Sequence, residues 1–220
     1  MVALGPGDTL MRKSADGTGE AVVLVESESI LYGPDWSHDG RYLVYTENNS
    51  ETGRDIRYVE LGSDGAASEP VTFLSTPANE DRHQLSPDGR FLAYVTNESG
   101  RTEVYVQPFP DGAGKWQVSV NGGNRIRWRS DGSELFYVAG TTLMAVSVST
   151  ESGFTLGQPQ RLFDAAELTG TVGAGGYDVS ADGQRFVMTA PVQEGDDGEV
   201  APPTIRVVMN WYEEFRDREQ

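Results

Sequence analysis

The sequence predicts an all-β fold made of antiparallel, four-stranded sheets that follow one another along the chain. Three observations predict it. A turn containing Asp-Gly occurs four times, with its aspartates at Asp39, Asp88, Asp131 and Asp182. Each turn is followed by two runs rich in aromatic and β-branched residues, the composition of paired, half-buried strands. A second turn series, SADGTGE from Ser14, GSDGAASE from Gly62 and PDGAGK from Pro110, is interleaved with the first. The four aspartates are spaced by 49, 43 and 51 residues. Two interleaved turn series at a period of roughly 40–50 residues mark a radial array of blades, a β-propeller.

The clearest copy is HQLSPDGRFLAYVTNESGRTEVYVQPF, residues 83 to 109. His83 to Ser86 reads as a short extended run. Pro87-Asp88-Gly89 turns the chain: Pro presets φ, Asp bonds to nearby backbone N–H groups, and Gly accepts φ > 0. Phe91 to Thr96 and Glu103 to Val106 read as the next two strands, joined by Asn97-Glu98-Ser99-Gly100. After the turn at Pro110-Asp111-Gly112, Lys115 to Val120 reads as the fourth strand. The other copies align with it. Ser37-His38-Asp39-Gly40 precedes RYLVYTE and DIRYVEL, Ser130-Asp131-Gly132 precedes ELFYVAG and TLMAVSV, and Ser180-Ala181-Asp182-Gly183 precedes RFVMTAP and TIRVVMN. The turn aspartates recur because the hairpins need them.

The Ser-x-Asp-Gly-[Arg/Gln]-aromatic pattern resembles the WD40-like (PD40) repeat of TolB-like propellers. The stretches EVYVQPFPDGAGKWQVSVNGG, RWRSDGSELFYV and TIRVVMNWYEEF resemble the C-terminal propeller region of bacterial eukaryote-like Ser/Thr protein kinases. The resemblance covers nearly the whole chain and implies a fold, because the repeated residues are structural. It also implies a parent domain outside the cytoplasmic membrane.

At a repeat of about 45 residues the chain accommodates four to five blades. It is expected to form a single, partial propeller domain over residues 1–220. Residues 1–8 are expected to be a flexible lead, and residues 211–220 a short C-terminal tail or helix with Trp211 and Phe215 one turn apart. Thr9 to Lys13 and Ala21 to Val25 read as the third and fourth strands of a blade whose first two are missing. The last unit shows three strands and no fourth. An open blade edge invites pairing, so closure by strand exchange is expected, within the chain or in a homodimer. Residues 168–176 read as a Gly/Thr-rich connector and residues 191–203 as a long acidic loop.

The net charge is −17, from 34 acidic and 17 basic residues. That opposes binding to nucleic-acid phosphates. There are no cysteines, which excludes disulfides, thiolate nucleophiles and Cys-ligated zinc. No stretch approaches about 18 apolar residues, so no membrane-spanning helix is encoded. Residues 1 to 10 lack the basic start and apolar run of a signal peptide. The sequence holds no kinase motif, P-loop, His-Glu-x-x-His or Gly-x-Ser-x-Gly.

The innermost strands end in Pro34-Asp35-Trp36, His83-Gln84-Leu85, Ile126-Arg127-Trp128 and Tyr177-Asp178-Val179. Period-two alternation directs Trp36, Leu85, Trp128 and Val179 into the core. It directs Asp35, Gln84, Arg127 and Asp178 the other way, toward a central channel, which makes them the candidate binding residues. Arg82, Arg125 and Asp81 are expected near its mouth, and Asp35 with Arg127 is a candidate pair across it. Glu80, Asp81 and His83 form a carboxylate-rich cluster able to hold a divalent cation such as Ca, Zn or Mn, though none is required.

Three functions follow from this reading. The leading one is a non-catalytic binding or sensor module for a protein or small-molecule ligand. The second is a metal-dependent phosphoester hydrolase, with His83, Arg82 and Arg125 as its candidate catalytic residues. The third is a self-assembling structural fragment. Ser37-His38-Asp39 is a turn and not a triad, because adjacent residues cannot place nucleophile, base and orienter in line.

Overall fold

Nineteen strands and the turns between them make up the described part of the molecule. The computed structural model describes residues 2–4, 8–151, 153–164, 176–189 and 205–209. The residues group into two compact units, Met1–Gln117 and Val118–Gln220, where the sequence alone suggested one domain. The connector at 168–175, the acidic loop at 191–203 and the tail at 211–220 lie outside the described residues. No helix long and apolar enough to cross a membrane is found among those described.

In the first unit, β1 (Val2–Leu4), β2 (Thr9–Arg12) and β3 (Val22–Glu26) form a three-stranded antiparallel sheet. Val2–Leu4 lie within the stretch expected as a lead over residues 1–8. Val2, Ala3 and Leu4 are paired with Arg12, Met11 and Leu10, so the sheet also holds the strand before β2. Two four-stranded sheets follow. The first holds β4 (Leu31–Trp36), β5 (Tyr42–Asn49), β6 (Gly53–Glu60) and β7 (Val71–Leu74). The second holds β8 (Glu80–Leu85), β9 (Phe91–Thr96), β10 (Glu103–Pro108) and β11 (Trp116–Gln117). Both are simple meanders, each strand pairing with the next.

The second unit repeats the pattern. β12 (Asn124–Trp128), β13 (Glu134–Ala139) and β14 (Thr142–Ser149) are joined at β14 by both β15 (Thr155–Leu156) and β16 (Gln160–Asp164). β17 (Tyr177–Val179), β18 (Arg185–Thr189) and β19 (Ile205–Met209) form a three-stranded sheet, as the sequence led us to expect.

Within each unit the sheets pack face to face through apolar side chains. Leu10, Leu24 and Val25 of the first sheet meet Leu31, Leu43, Tyr45 and Val59 of the second. The other face of the second sheet, with Val44 and Ile56, meets Leu85, Leu92, Tyr94 and Tyr105 of the third. Phe109 closes that core, with ring centroids 5.1 Å from both Tyr42 and Tyr58 in edge-to-face contact, a geometry that adds about 0.5–1.5 kcal/mol per pair to area burial. In the second unit Phe136, Leu143 and Leu162 pack on Tyr177, Phe186 and Met188. Leu85 and Trp128 are buried, and Trp36 and Val179 pack against these cores as partly buried residues, as their alternation predicts.

The repeated turn has a specific latch. The Ser37 hydroxyl donates to Asp39 Oδ1 at 2.6 Å and accepts the Tyr42 N–H at 2.8 Å. Asp39 Oδ1 also accepts the Arg41 N–H at 3.0 Å. Ser86, Asp88 and Phe91 repeat this arrangement, as do Ser180, Asp182 and Arg185. The Ser37 hydroxyl and then the Arg41 N–H hold the Asp39 carboxyl below its usual pKa range. The third copy differs. Arg129, not Ser130, occupies the first seat: its Nη1 lies 3.1 Å from Glu134 Oε2 and its Nε 3.3 Å from Asp131 Oδ2. Ser133 supplies the hydroxyl that donates to Asp131 Oδ1, at 2.6 Å.

Candidate binding surface at the innermost strands

The innermost strands are not regular. Pairing with the neighbouring strand slips between Tyr32 and Asp35 in β4, between Asp81 and Gln84 in β8, and between Asn124 and Arg127 in β12. Each slip contains a residue in the left-handed region: Gly33 at φ 53°, Arg82 at 50° and Arg125 at 55°. Glycine adopts this conformation without penalty. For a residue with a Cβ it costs about 1–2 kcal/mol. Arg82 and Arg125 are the only non-glycine residues with positive φ among the described residues, and they hold equivalent places in two blades.

In the first unit the bulge of β8 sends successive side chains in different directions. Glu80 is buried, and its carboxylate accepts the Thr76 hydroxyl. Burial raises its pKa above the ordinary glutamate value, against the lowering effect of the Thr76 hydrogen bonds. Asp81 turns the other way and pairs with the Arg54 guanidinium, with Arg82 Nε 3.8 Å away. The Arg54 guanidinium also lies over the Tyr32 ring, 5.4 Å from its centroid. His83 is buried, with Nδ1 3.2 Å from Thr46 Oγ1. Desolvation lowers its pKa to about 4, so the ring is neutral at neutral pH.

Glu80, Asp81 and His83 therefore do not converge. No three His, Asp or Glu side chains among the described residues gather where they could hold a metal ion. His38 is exposed in its turn. Asp35 Oδ2 accepts the Leu85 N–H at 2.6 Å, so this candidate ties β4 to β8. Gln84 is half-buried beside it in sequence.

In the second unit the structure brings Arg127 and Asp178 together, with Nε 3.6 Å from Oδ1. Asp35 and Arg127, expected to face each other, are committed to Leu85 and Asp178. The Arg127 guanidinium also lies 5.7 Å from the Tyr177 ring centroid. Tyr177 is buried and its hydroxyl has no hydrogen-bond partner among the described residues. Burial pushes its pKa up, and Arg127 and Arg125 act in the opposite direction.

Arg54 and Tyr32 were not legible as site residues. Arg54 is the second residue of β6 and reaches Asp81, 27 positions later, so no local motif signals the pair. The left-handed backbone at Arg82 and Arg125 carried no signal in residue type; only Gly33, at the equivalent place in the first copy, is a residue that favours it. The outcome is one local theme. Arg54 and Arg82 flank one carboxylate, Asp81; Arg127 pairs with Asp178, and Arg125 acts with it on the neighbouring Tyr177, on a chain of charge −17.

Comparison with known proteins supports the fold. No family model matches the chain. An uncharacterized protein of Agrobacterium fabrum is 29% identical over 142 residues, which covers 62% of this chain and 46% of that protein. The Tol-Pal system protein TolB of Francisella tularensis is 29% identical over 108 residues, covering 48% of this chain and 23% of TolB. The chain thus spans less than half the length of the curated relatives it matches. Among solved structures, TolB from Acinetobacter baumannii superposes with a TM-score of 0.60 at 16% identity, covering 93% of this chain and 50% of that one. An oligogalacturonate lyase in complex with manganese gives 0.65 at 17% identity, covering 96% and 59%. Turn latches, four-stranded meanders and these neighbours agree: the fold is that of the TolB-like β-propellers.

Proposed function

We propose that the chain is a non-catalytic binding module, a sensor or interaction propeller of the kind found in bacterial receptor-type kinases, working outside the cytoplasmic membrane. Its recognition surface lies at the bulges of the innermost strands, and its ligand presents carboxylate groups, as an acidic peptide segment does. The observation that carries this reading is the left-handed backbone of Arg82 beside Asp81 and Arg54. Such strain persists where surrounding structure enforces it and is concentrated at ligand-binding positions. Guanidinium groups suit carboxylates because they donate two parallel hydrogen bonds.

The test is a titration of the full chain with a short Glu-rich peptide, followed by calorimetry, for the parent and for Arg82→Gly. The expected result is saturable binding that weakens with added salt. Arg82→Gly should weaken it by about tenfold or more while raising the unfolding midpoint, because glycine relieves the backbone strain. Binding left intact by Arg82→Gly would reject the reading.

A further inference from the structure

A second site, which shares strand β8 with the Arg82 bulge but is lined by Glu80 and not by Asp81 or the arginines, lies on the face of the β8–β11 sheet that packs against the preceding sheet. A cleft of about 300 Å³ is lined there by Leu74, Thr76, Glu80, Tyr94, Glu98, Gln107 and Lys115, with Gly114 at its edge. That volume is at the lower end of small-ligand pockets. Its polar groups are mostly acceptors. Glu80 is only 1% exposed as a residue, and its carboxylate takes the Thr76 hydroxyl on Oε1, while the Thr76 N–H lies 3.4 Å from Oε2. Each carboxylate oxygen has a further lone pair for a donor.

Gln107 is the second, independent sign. It is only 8% exposed and lines the cleft. Its Nε2 is spent on the Gly112 carbonyl at 3.0 Å, and its Oε1 has no donor among the described residues. A buried acceptor left without a donor costs on the order of 1–3 kcal/mol, a cost that a donating ligand removes.

The cleft already shows which group it stabilises. Lys115 Nζ pairs with Glu98 and sits 4.8 Å from the Tyr105 ring centroid. Tyr105 in turn stacks on Tyr94, with centroids 6.1 Å apart and planes at 25°. An ammonium group there gains both a carboxylate and an aromatic face. Two carboxylates, an amide oxygen and a phenol are set against this one cation, so the lining favours a second cation over an anion. Leu74 offers an apolar wall for an alkyl stem. Burial raises the Glu80 pKa, and a cation beside it favours the ionised form.

We propose that this cleft binds an alkylammonium group, delivered by a free primary amine or by a lysine side chain of a peptide, with Lys115 as a built-in competitor for the Glu98 end. Glu80 and Gln107 Oε1 receive its N–H donors, and Tyr94 and Leu74 flank its stem.

The experiment titrates the full chain with n-pentylamine, with n-pentanol as the neutral isostere, and with an acetylated, amidated Gly-Lys-Gly peptide, following the tyrosine ring signals by NMR. Pentylamine should bind and pentanol should not. Lys115→Met should tighten amine binding by about tenfold, and Glu80→Gln should weaken it by about tenfold. A peptide that binds more tightly than pentylamine assigns the site to a lysine side chain, and the reverse order assigns it to free amines. Equal binding of pentanol and pentylamine overturns the proposal without recourse to any variant. So does failure of pentylamine to bind both the parent chain and a folded Lys115→Met variant.

Discussion

The Asp35 carboxylate accepts the backbone N–H of Leu85 at 2.6 Å, joining the innermost strands of two successive sheets. Leu85 belongs to the core between those sheets, so the bond fixes the height at which one packs on the other. Asp35→Ala should destabilise the chain by about 1–3 kcal/mol, because a charge-assisted bond to a partly buried N–H is lost. Asp35→Asn keeps an acceptor oxygen and should cost less. Urea midpoints of the two variants give the comparison.

The turn latches should differ in their response to loss of a hydroxyl. Ser86→Ala removes a donor to Asp88 at 2.6 Å and an acceptor for the Phe91 N–H at 3.0 Å. About 1–2 kcal/mol should be lost, since the Phe91 N–H is buried. Ser130→Ala removes only an exposed bond to the Ala181 carbonyl and should fall within about 0.5 kcal/mol of the parent. Equal losses from the two substitutions would contradict the assignment of Arg129 to the latch position.

His83 gives a pH signature. Its pKa is lowered to about 4 from 6.5 by burial, so between those values the unfolded chain binds more protons than the folded one. Stability therefore rises with pH across this window: the contribution is complete above about 6.5 and is lost as pH falls toward 4. The full effect is on the order of 3 kcal/mol. His83→Gln should flatten the profile between pH 4 and 6.5 relative to the parent. The carboxylates titrate in both proteins, so the difference between the two profiles isolates the ring. A ring that titrates near 6.5 by NMR would count against its burial beside Thr46.

Glu80 has the opposite sign. Its pKa is raised by burial, so the folded chain holds its proton more tightly. The associated stability is present below the unfolded value and declines as pH rises through the folded one. At neutral pH Glu80→Gln should unfold no more readily than the parent, because the amide oxygen still accepts the Thr76 hydroxyl without a buried charge. Thermal melts at pH 7 check this, and they make that variant a sound control for amine binding.

Much of the fold was legible because it rests on local chemistry. The Ser-x-Asp-Gly latch needs only six successive residues, and Phe91–Thr96 declares itself by its aromatic and β-branched run. The bulges were not legible, since only Gly33 among the three left-handed residues is of the type that signals one. The candidate site fared less well for the same reason. Alternation separates Asp35 and Asp178 from the apolar core positions beside them, but it cannot say that one meets a backbone N–H and the other Arg127. Closeness in sequence grouped Glu80, Asp81 and His83 as one cluster, but strand geometry sends adjacent side chains to opposite faces and the bulge diverts the third.

The exchange at the third turn carries one more consequence. Where the other copies close with an uncharged hydroxyl, Arg129 and Glu134 close theirs as ions. Either residue put alone into a sister repeat would be a misfit, yet together they are self-consistent. Replacing one of the two alone leaves a largely buried partner without its counter-ion, so the pair is expected to tolerate joint replacement better than a change at either seat by itself.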